Sequence, residues 1–416
     1  MMKQKLSSAL IVLIFVIVAA MPALAMQQNT AETGTPFMHT FITNVRSGNG
    51  KGPGGGSGGP APSGPTSYPA YTPGQIFHAY NYSATYNGAG ETIAIIDAYG
   101  SPSIQNDVKV FDTQFNLPAI KLTVLTPFGK VGRNSGWALE TSLDVEWSHA
   151  MAPSASILLI EAPSASTTYL ITDSINYIVN HTNANVVSMS WGAAESGLTA
   201  SELSQYSATF AYAASHGVIL VAASGDSGAN DGTTSPTVNY PASDPSVVGA
   251  GGTTLLLTGI TATSATYSSE YAWNSSGGGI SNYFPEPSYQ KNASISASGR
   301  AVPDVSYDAN PNTGFWIYDS TSYEGLKGWI QVGGTSASSP QWAAIFTEVQ
   351  QYKSSKTFNG TNVLSSLYTV YSISAEYASA FHDITVGYNG AYSAGAGYDE
   401  VTGIGSPNVG ALIEYL

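Results

Sequence analysis

Between residues 91 and 250 the chain repeats one pattern, a short and nearly continuous apolar run followed by a longer stretch of helical periodicity. The runs are Glu91–Asp97 (ETIAIID), Ile120–Leu125, Ser156–Glu161 (SILLIE), Val186–Ser190 (VVSMS), Val218–Ala222 (VILVA) and Val247–Ala250. They are too short for helices and too uniformly apolar for strands with one wet face, which predicts strands buried on both sides. The segments Ser103–Phe111, Gly136–Ala150, Thr172–Thr182 and Glu202–His216 supply helices between most of them. Such alternation constrains the chain to an α/β architecture, a doubly wound and mostly parallel sheet with helices on both faces. Ligands of these sheets sit beyond the carboxyl ends of the strands, so chemistry is sought in the loops that follow.

Charge narrows the function. The 416 residues carry 13 Lys and Arg against 27 Asp and Glu, a net charge of −14, with no basic cluster. Nucleic-acid binding is excluded on that ground, because phosphate contacts need basic side chains gathered on one face. The absence of cysteine removes disulfides, thiolate metal sites and thiol nucleophiles. Only 10% of residues are charged, against roughly 25% in ordinary globular domains. A surface built from Ser, Thr, Asn, Gly and Tyr changes its charge little when carboxylates protonate, so acid tolerance is expected.

Lys3 and Lys5 precede the uncharged run Leu6–Ala25, which ends in Ala23-Leu24-Ala25 after Pro22. This reads as a signal peptide over residues 1–25 and a secreted product. An uncleaved membrane anchor, giving a surface-attached protein, is the alternative, since the run is just long enough to span a bilayer. No second long apolar run follows, so no other membrane contact is expected. Residues 48–65 (GNGKGPGGGSGGPAPSGP) cannot bury enough apolar surface to order themselves. Residues 26–66 are therefore read as a linker or remnant pro-segment, and residues 67–416 as one large domain.

Four strings could carry chemistry. In Gly333-Gly334-Thr335-Ser336, leading into a helical pattern, the serine sits near a helix N-terminus, where unpaired N–H groups can hold developing negative charge. An ordinary N-cap serine would look the same. Its usual partner would be one of six histidines, His39, His78, His149, His181, His216 and His382, and none lies in a glycine-flanked histidine motif of the subtilisin kind. The second string, on the Gly136–Ala150 helix, holds Glu140 and Asp144 on one face, about 40° apart, with His149 about 180° and Glu146 about 120° from Glu140. Two carboxylates one turn apart among apolar neighbours share a proton and suit acid–base work in acid, although a solvated helix face reads similarly. Third, Asp226 in Ser224-Gly225-Asp226-Ser227-Gly228 follows the VILVA strand and could, as a neutral acid, donate to an oxyanion, or simply serve a turn. Fourth, Asp383 and Asp399 bracket a glycine-rich loop offering the oxygen donors calcium prefers, or only a turn.

Taken together, in this order, the strings resemble the sedolisins, serine-carboxyl peptidases with a subtilisin-like fold in which glutamate replaces the catalytic histidine. The resemblance covers roughly residues 70–416 and includes Tyr71-Thr72-Pro73-Gly74, Ser188-Met189-Ser190-Trp191-Gly192, Trp273, Ser276–Gly279 and Gly334-Thr335-Ser336 with Pro340. It implies Ser336 as nucleophile, Glu140 as general base, Asp144 as the residue sharing Glu140's proton, and Asp226 as oxyanion donor. It further implies a substrate-pairing strand at Ser190, Trp191 and Gly192, with Asp97 and Trp191 behind Glu140. One structural calcium ion would be held by Asp383 and Asp399 side chains and the carbonyls of Ile384, Gly395 and Gly397. Peptides or unfolded proteins would be the substrates, acid the working condition, and a monomer the working unit. Asn230 and Asp231 are candidates for the specificity pocket. The family's long folded prodomain has no counterpart in the roughly forty residues between the export signal and Tyr71. A catalytically silent binding protein on the same fold, and a hydrolase using His149 or His216, are the competing expectations.

Overall fold

Strands send alternate residues to opposite faces, and here both sets are apolar. Ile93, Ile95, Ile157, Leu159 and Val221 pack into one core, while Ala94, Ile96, Leu158, Ile160 and Leu220 pack into the other. The computed structural model describes residues 36–38, 41–42 and 70–416. The expected export segment at 1–25 and most of the 26–66 segment lie outside those residues.

In chain order the first elements are β1 (Phe37–Met38), β2 (Phe41–Ile42), α1 (Pro73–Ala79), β3 (Thr92–Ala98), α2 (Ile104–Phe115), β4 (Lys121–Leu125), α3 (Ser135–Met151) and β5 (Ser156–Ala162). They are followed by α4 (Ser174–His181), β6 (Val186–Met189), β7 (Trp191–Ala194), α5 (Ala200–Ser215), β8 (Ile219–Ala223), β9 (Asn239–Tyr240), β10 (Val248–Thr258) and β11 (Thr266–Ala272). Beyond these come β12 (Gly279–Ile280), α6 (Ser288–Asn292), β13 (Ala301–Val302), β14 (Val305–Asp308), β15 (Phe315–Tyr323), β16 (Leu326–Gly333) and α7 (Thr335–Lys353).

The main sheet has the order β11-β10-β8-β6-β3-β5-β4, with β14 also pairing β10. All its pairings are parallel except that of β10 with β11. Helices α2, α3 and α7 cover one face, and α4 and α5 the other. This is the doubly wound α/β fold read from the sequence, a single subtilisin-like domain. Helix α3 is buried along nearly its whole length and packs against α7. Those two helices and the carboxyl ends of β6 and β8 position the site.

Candidate active site

Asn134 starts α3, its side chain accepting from the Gly136 and Trp137 amides at 3.0 and 3.2 Å. From there Glu140 and Asp144 lie one turn apart, both with no solvent exposure. His149 on the opposite face puts Nε2 2.9 Å from the Pro118 carbonyl and 3.2 Å from Asp112. His216 caps α5 at the surface. Glu146 also points elsewhere, accepting from the Tyr318 amide at 2.9 Å.

Helix α7 begins at Thr335, after Gly334 with φ 112°. A side chain is strained there, so glycine lets β16 turn directly into the helix. Ser336 therefore lies in the first turn, buried, with its Oγ donating to the Ser190 carbonyl at 3.2 Å. Pro340, four residues on, has no N–H to give the Ser336 carbonyl its helical hydrogen bond. That carbonyl is left for the Ser190 hydroxyl, 3.2 Å away, which also lies 2.6 Å from Asp144 Oδ1.

A serine hydroxyl has one hydrogen. The Ser190 hydrogen goes to Asp144 Oδ1, the nearer acceptor, and the Ser336 carbonyl makes the longer contact to the same hydroxyl. Burial pushes the Asp144 pKa well above the usual carboxylate range, and the Asp97 and Glu140 carboxylates push it the same way. Ser190 opposes them but is outweighed. Asp97, fully buried at the end of β3, is pushed up to about 7 by burial, with Glu161 adding to the effect and the Thr141 hydroxyl only partly offsetting it. That hydroxyl donates to the Trp137 carbonyl at 2.8 Å, and neither Asp97 oxygen has a hydrogen-bond partner of normal geometry. Protonation is the least costly way to keep such a group buried.

Asp226 approaches from the loop after β8. Its Oδ1 accepts from the Thr335 amide and hydroxyl, both at 2.7 Å, so it is anchored beside the helix turn that carries Ser336. The second oxygen is buried without a partner. Desolvation raises the Asp226 pKa well above normal, more than the Thr335 bonds lower it. A neutral acid fixed through one oxygen, with the other free to donate, is the group an oxyanion requires.

Next to these groups, Trp191 is buried with Nε1 donating to the Ile96 carbonyl at 2.6 Å. Gly192 tolerates no side chain, since a Cβ would collide with the Asn239 side chain and the Tyr240 carbonyl. Asp231 accepts from Asn239 at 2.8 Å just beyond that strand. Thr335 and Pro340, not singled out for these roles in the sequence, prove central to positioning Asp226 and Ser190.

Asp383 accepts from the Gly397 amide at 3.0 Å, and Asp399 from the Gly395 amide at 3.1 Å. Two carboxylates thus turn to one loop, and burial lifts Asp399 to about 6. Among the described residues no cluster of three or more His, Asp or Glu side chains is gathered for a metal. With loop carbonyls added, the oxygen-only donor set of Asp383, Ile384, Gly395, Gly397 and Asp399 fits calcium rather than a softer ion. Among the described residues no helix is long and apolar enough to cross a membrane.

The sequence pattern of the subtilase family matches residues 133–376. Kumamolisin of Bacillus sp. (strain MN-32) is 32% identical over 366 residues, covering 81% of this chain and 62% of its own length. Sedolisin of Pseudomonas sp. (strain 101) is 29% identical over 376 residues, covering 83% of this chain and 61% of its own. The chain therefore spans about three fifths of these curated relatives. A solved structure of Pseudomonas sedolisin, a serine-carboxyl proteinase complexed with pseudo-iodotyrostatin, superposes with TM-score 0.75 at 28% identity, over 85% of this chain and 98% of that one. Matched by the family pattern over more than half its length and by sedolisin in sequence and fold, the chain belongs to the subtilase family, in its sedolisin branch.

Proposed function

We propose that the chain is a secreted, acid-acting serine-carboxyl peptidase that hydrolyses peptide bonds in peptides or unfolded proteins. The observation that carries this is Asp226, anchored by one oxygen on the Thr335 amide and hydroxyl at the start of the Ser336 helix and with its other oxygen buried without a partner, beside a Ser336–Ser190–Asp144 hydrogen-bond network.

In this reading a χ1 rotation turns Ser336 Oγ from the Ser190 carbonyl toward the substrate. As the Oγ–carbon bond forms, the Oγ proton passes to Glu140, and Asp226 donates to the oxyanion. Glu140 then gives its proton to the leaving nitrogen as the carbon–nitrogen bond breaks. Glu140 then takes a proton from water as it attacks the acyl carbon and returns it to Oγ as the carbon–Oγ bond breaks, which releases the acid product and regenerates Ser336. Asp144 holds the proton balance of Glu140. Substrate backbone pairs with Ser190, Trp191 and Gly192, with Asn230 and Asp231 beyond. A glutamate base, a residue type whose unperturbed pKa is about 4.3, and an oxyanion donor that must stay protonated both favour acid.

One calcium ion would sit between Asp383 and Asp399 with the carbonyls of Ile384, Gly395 and Gly397. Its charge would neutralise the two carboxylates and fasten the loop, a structural role.

The test is hydrolysis of a denatured protein by the purified full chain, with calcium, from pH 2 to 8. Activity confined to acid and lost in both Ser336→Ala and Glu140→Ala supports the mechanism. A neutral optimum that survives Glu140→Ala refutes it in favour of a histidine base. Folded protein that binds peptide without cleaving it points to the silent alternative.

A further inference from the structure

Asn389 is a buried polar residue in an exposed loop. It lies between Asp383 and Asp399, and its neighbours Tyr388 and Gly390 face solvent, yet Asn389 itself is only 3% exposed. A buried amide is tolerated where its polar atoms find partners, and here all of them do. Its Oδ1 accepts from the Tyr392 amide at 3.0 Å, and its own N–H donates to the Tyr392 carbonyl at 3.1 Å, which closes the loop tip on itself. The other two groups reach out of the loop. Nδ2 donates to the Ser276 carbonyl at 3.1 Å, and the main-chain carbonyl accepts from the Ala229 amide at 3.0 Å.

Those two partners belong to the segments that hold Asp226. Residues 224–229, which carry Asp226, lie alongside residues 275–277. The Gly277 amide donates to the Gly225 carbonyl at 2.7 Å, the Ser224 hydroxyl to the Gly277 carbonyl at 2.7 Å, and the Gly228 amide to the Ser275 carbonyl at 2.9 Å. Asn389 bonds to both segments at once and ties them together from behind. The approach leaves no room for a side chain, since a Cβ on Gly228, where φ is 65°, would stand 2.4 Å from the Asn389 carbonyl oxygen. Thr335 fixes one carboxyl oxygen of Asp226, and this second set of contacts fixes the main chain from which the carboxyl hangs.

We infer that Asn389 is a positioning residue for the oxyanion donor, locking residues 224–229 against residues 275–277 so that the partnerless oxygen of Asp226 keeps its aim. This rests on the peptidase reading for its catalytic consequence, though not for the lock. Removing an oxyanion donor costs about a hundredfold or more in kcat, and misplacing a reacting group by about 1 Å costs a similar factor. Loosening the donor without removing it should cost about tenfold.

The test uses the full chain, with calcium, carrying Asn389→Ala or Asn389→Leu. The second variant fills the space of the amide without its hydrogen bonds, and both keep the main-chain bond to Ala229. On a short peptide in acid, kcat should fall about tenfold in each with KM changed less than about twofold, whereas Val386→Ala, an exposed change in the same loop, should alter neither. In an Asp226→Ala chain the same Asn389 substitutions should lower kcat by less than about a further twofold, because the group they act through is gone. Independently of activity, hydrogen exchange read by mass spectrometry in a Ser336→Ala chain should quicken about tenfold at the amides of residues 224–229 and stay unchanged in α5. Equal exchange at residues 224–229 with and without the Asn389 amide overturns the inference, whatever the rates do. An equal loss of kcat with and without Asp226, or no loss at all, also overturns it and leaves the peptidase reading standing. If exchange quickens as stated while no version hydrolyses peptide, the peptidase reading fails and the lock on the Asp226 segment stands.

Discussion

Raising the pH from 4 to 8 should destabilise this protein from within. Asp231 is fully buried, with one oxygen accepting from Asn239 at 2.8 Å and the other without a partner. Burial, only partly offset by Asn239, pushes it up from 3.8 to about 7. Between those values the folded chain binds one proton that the unfolded chain has lost. Stability is fully present below about pH 4 and falls by about 1.4 kcal/mol per pH unit until the group ionises near 7. The loss approaches 4 kcal/mol for this residue. Asp97 and Asp319 are likewise lifted to about 7, in both cases chiefly by burial. Against a whole stability of 5–15 kcal/mol, two or three such groups are decisive. Asp231→Asn isolates one of them. The amide mimics the neutral acid, and asparagine tolerates the left-handed backbone there, φ 44°. Urea unfolding followed by tryptophan fluorescence, in a Ser336→Ala background to prevent self-digestion, should give nearly equal stabilities at pH 4. At pH 8 the variant should be more stable by up to about 4 kcal/mol. Parallel stability–pH curves for the two proteins, or a parent more stable at pH 8 than at pH 4, would refute the reasoning.

Pro340→Ala returns an N–H to the Ser336 carbonyl, in competition with Ser190. It should lower kcat about fivefold, the equivalent of roughly 1 kcal/mol, without lowering the melting temperature, both read on the same preparation. Gly192→Ala drives a Cβ into the Asn239 side chain and Tyr240 carbonyl. Displacing that strand by about 1 Å should cost about a hundredfold in kcat/KM and about 1–3 kcal/mol in unfolding free energy. Calcium removal should lower the melting temperature, and free ion restored to about 100 times its Kd should return about 2.7 kcal/mol by differential scanning calorimetry.

The doubly wound sheet was legible because its strands are apolar on both faces, a pattern that survives without knowledge of any partner. The Glu140–Asp144 pair was legible for a related reason, since helical rotation alone puts both on one face and His149 on the other. Boundaries failed where polarity changed inside an element. The short expected strand Val247–Ala250 is the start of the 11-residue β10, which continues through Gly251, Gly252, Thr253 and Thr254. Tertiary roles were not legible. Ser190 reads as part of a substrate-pairing strand, yet its hydroxyl contacts an aspartate 46 positions away, and Thr335 holds an aspartate 109 positions away. β1 and β2 have two residues each, too few for any periodicity, and they adjoin a Gly/Pro-rich stretch that favours a linker reading.

Desolvation also ties the site's chemistry to the endurance of the fold. The proposed mechanism needs a proton on Asp226 for the oxyanion and one shared between Asp144 and Glu140, and burial is the leading cause of the raised pKa values of Asp144 and Asp226. Burial is likewise the leading cause for Glu146, Asp308 and Glu348, which lie outside the catalytic network. Rising pH should therefore act twice, removing the Asp226 proton that the proposed oxyanion contact needs and charging interior groups that have no cation beside them. The two effects separate by rate. Deprotonation at the site is reversible within a mixing time, whereas loss of the fold develops over the slower unfolding time. A brief excursion to pH 8 followed by return to pH 4 should restore full activity, and a prolonged one should not. Activity that survives a prolonged excursion intact would mean that the interior acids ionise without opening the structure, through water that reaches them.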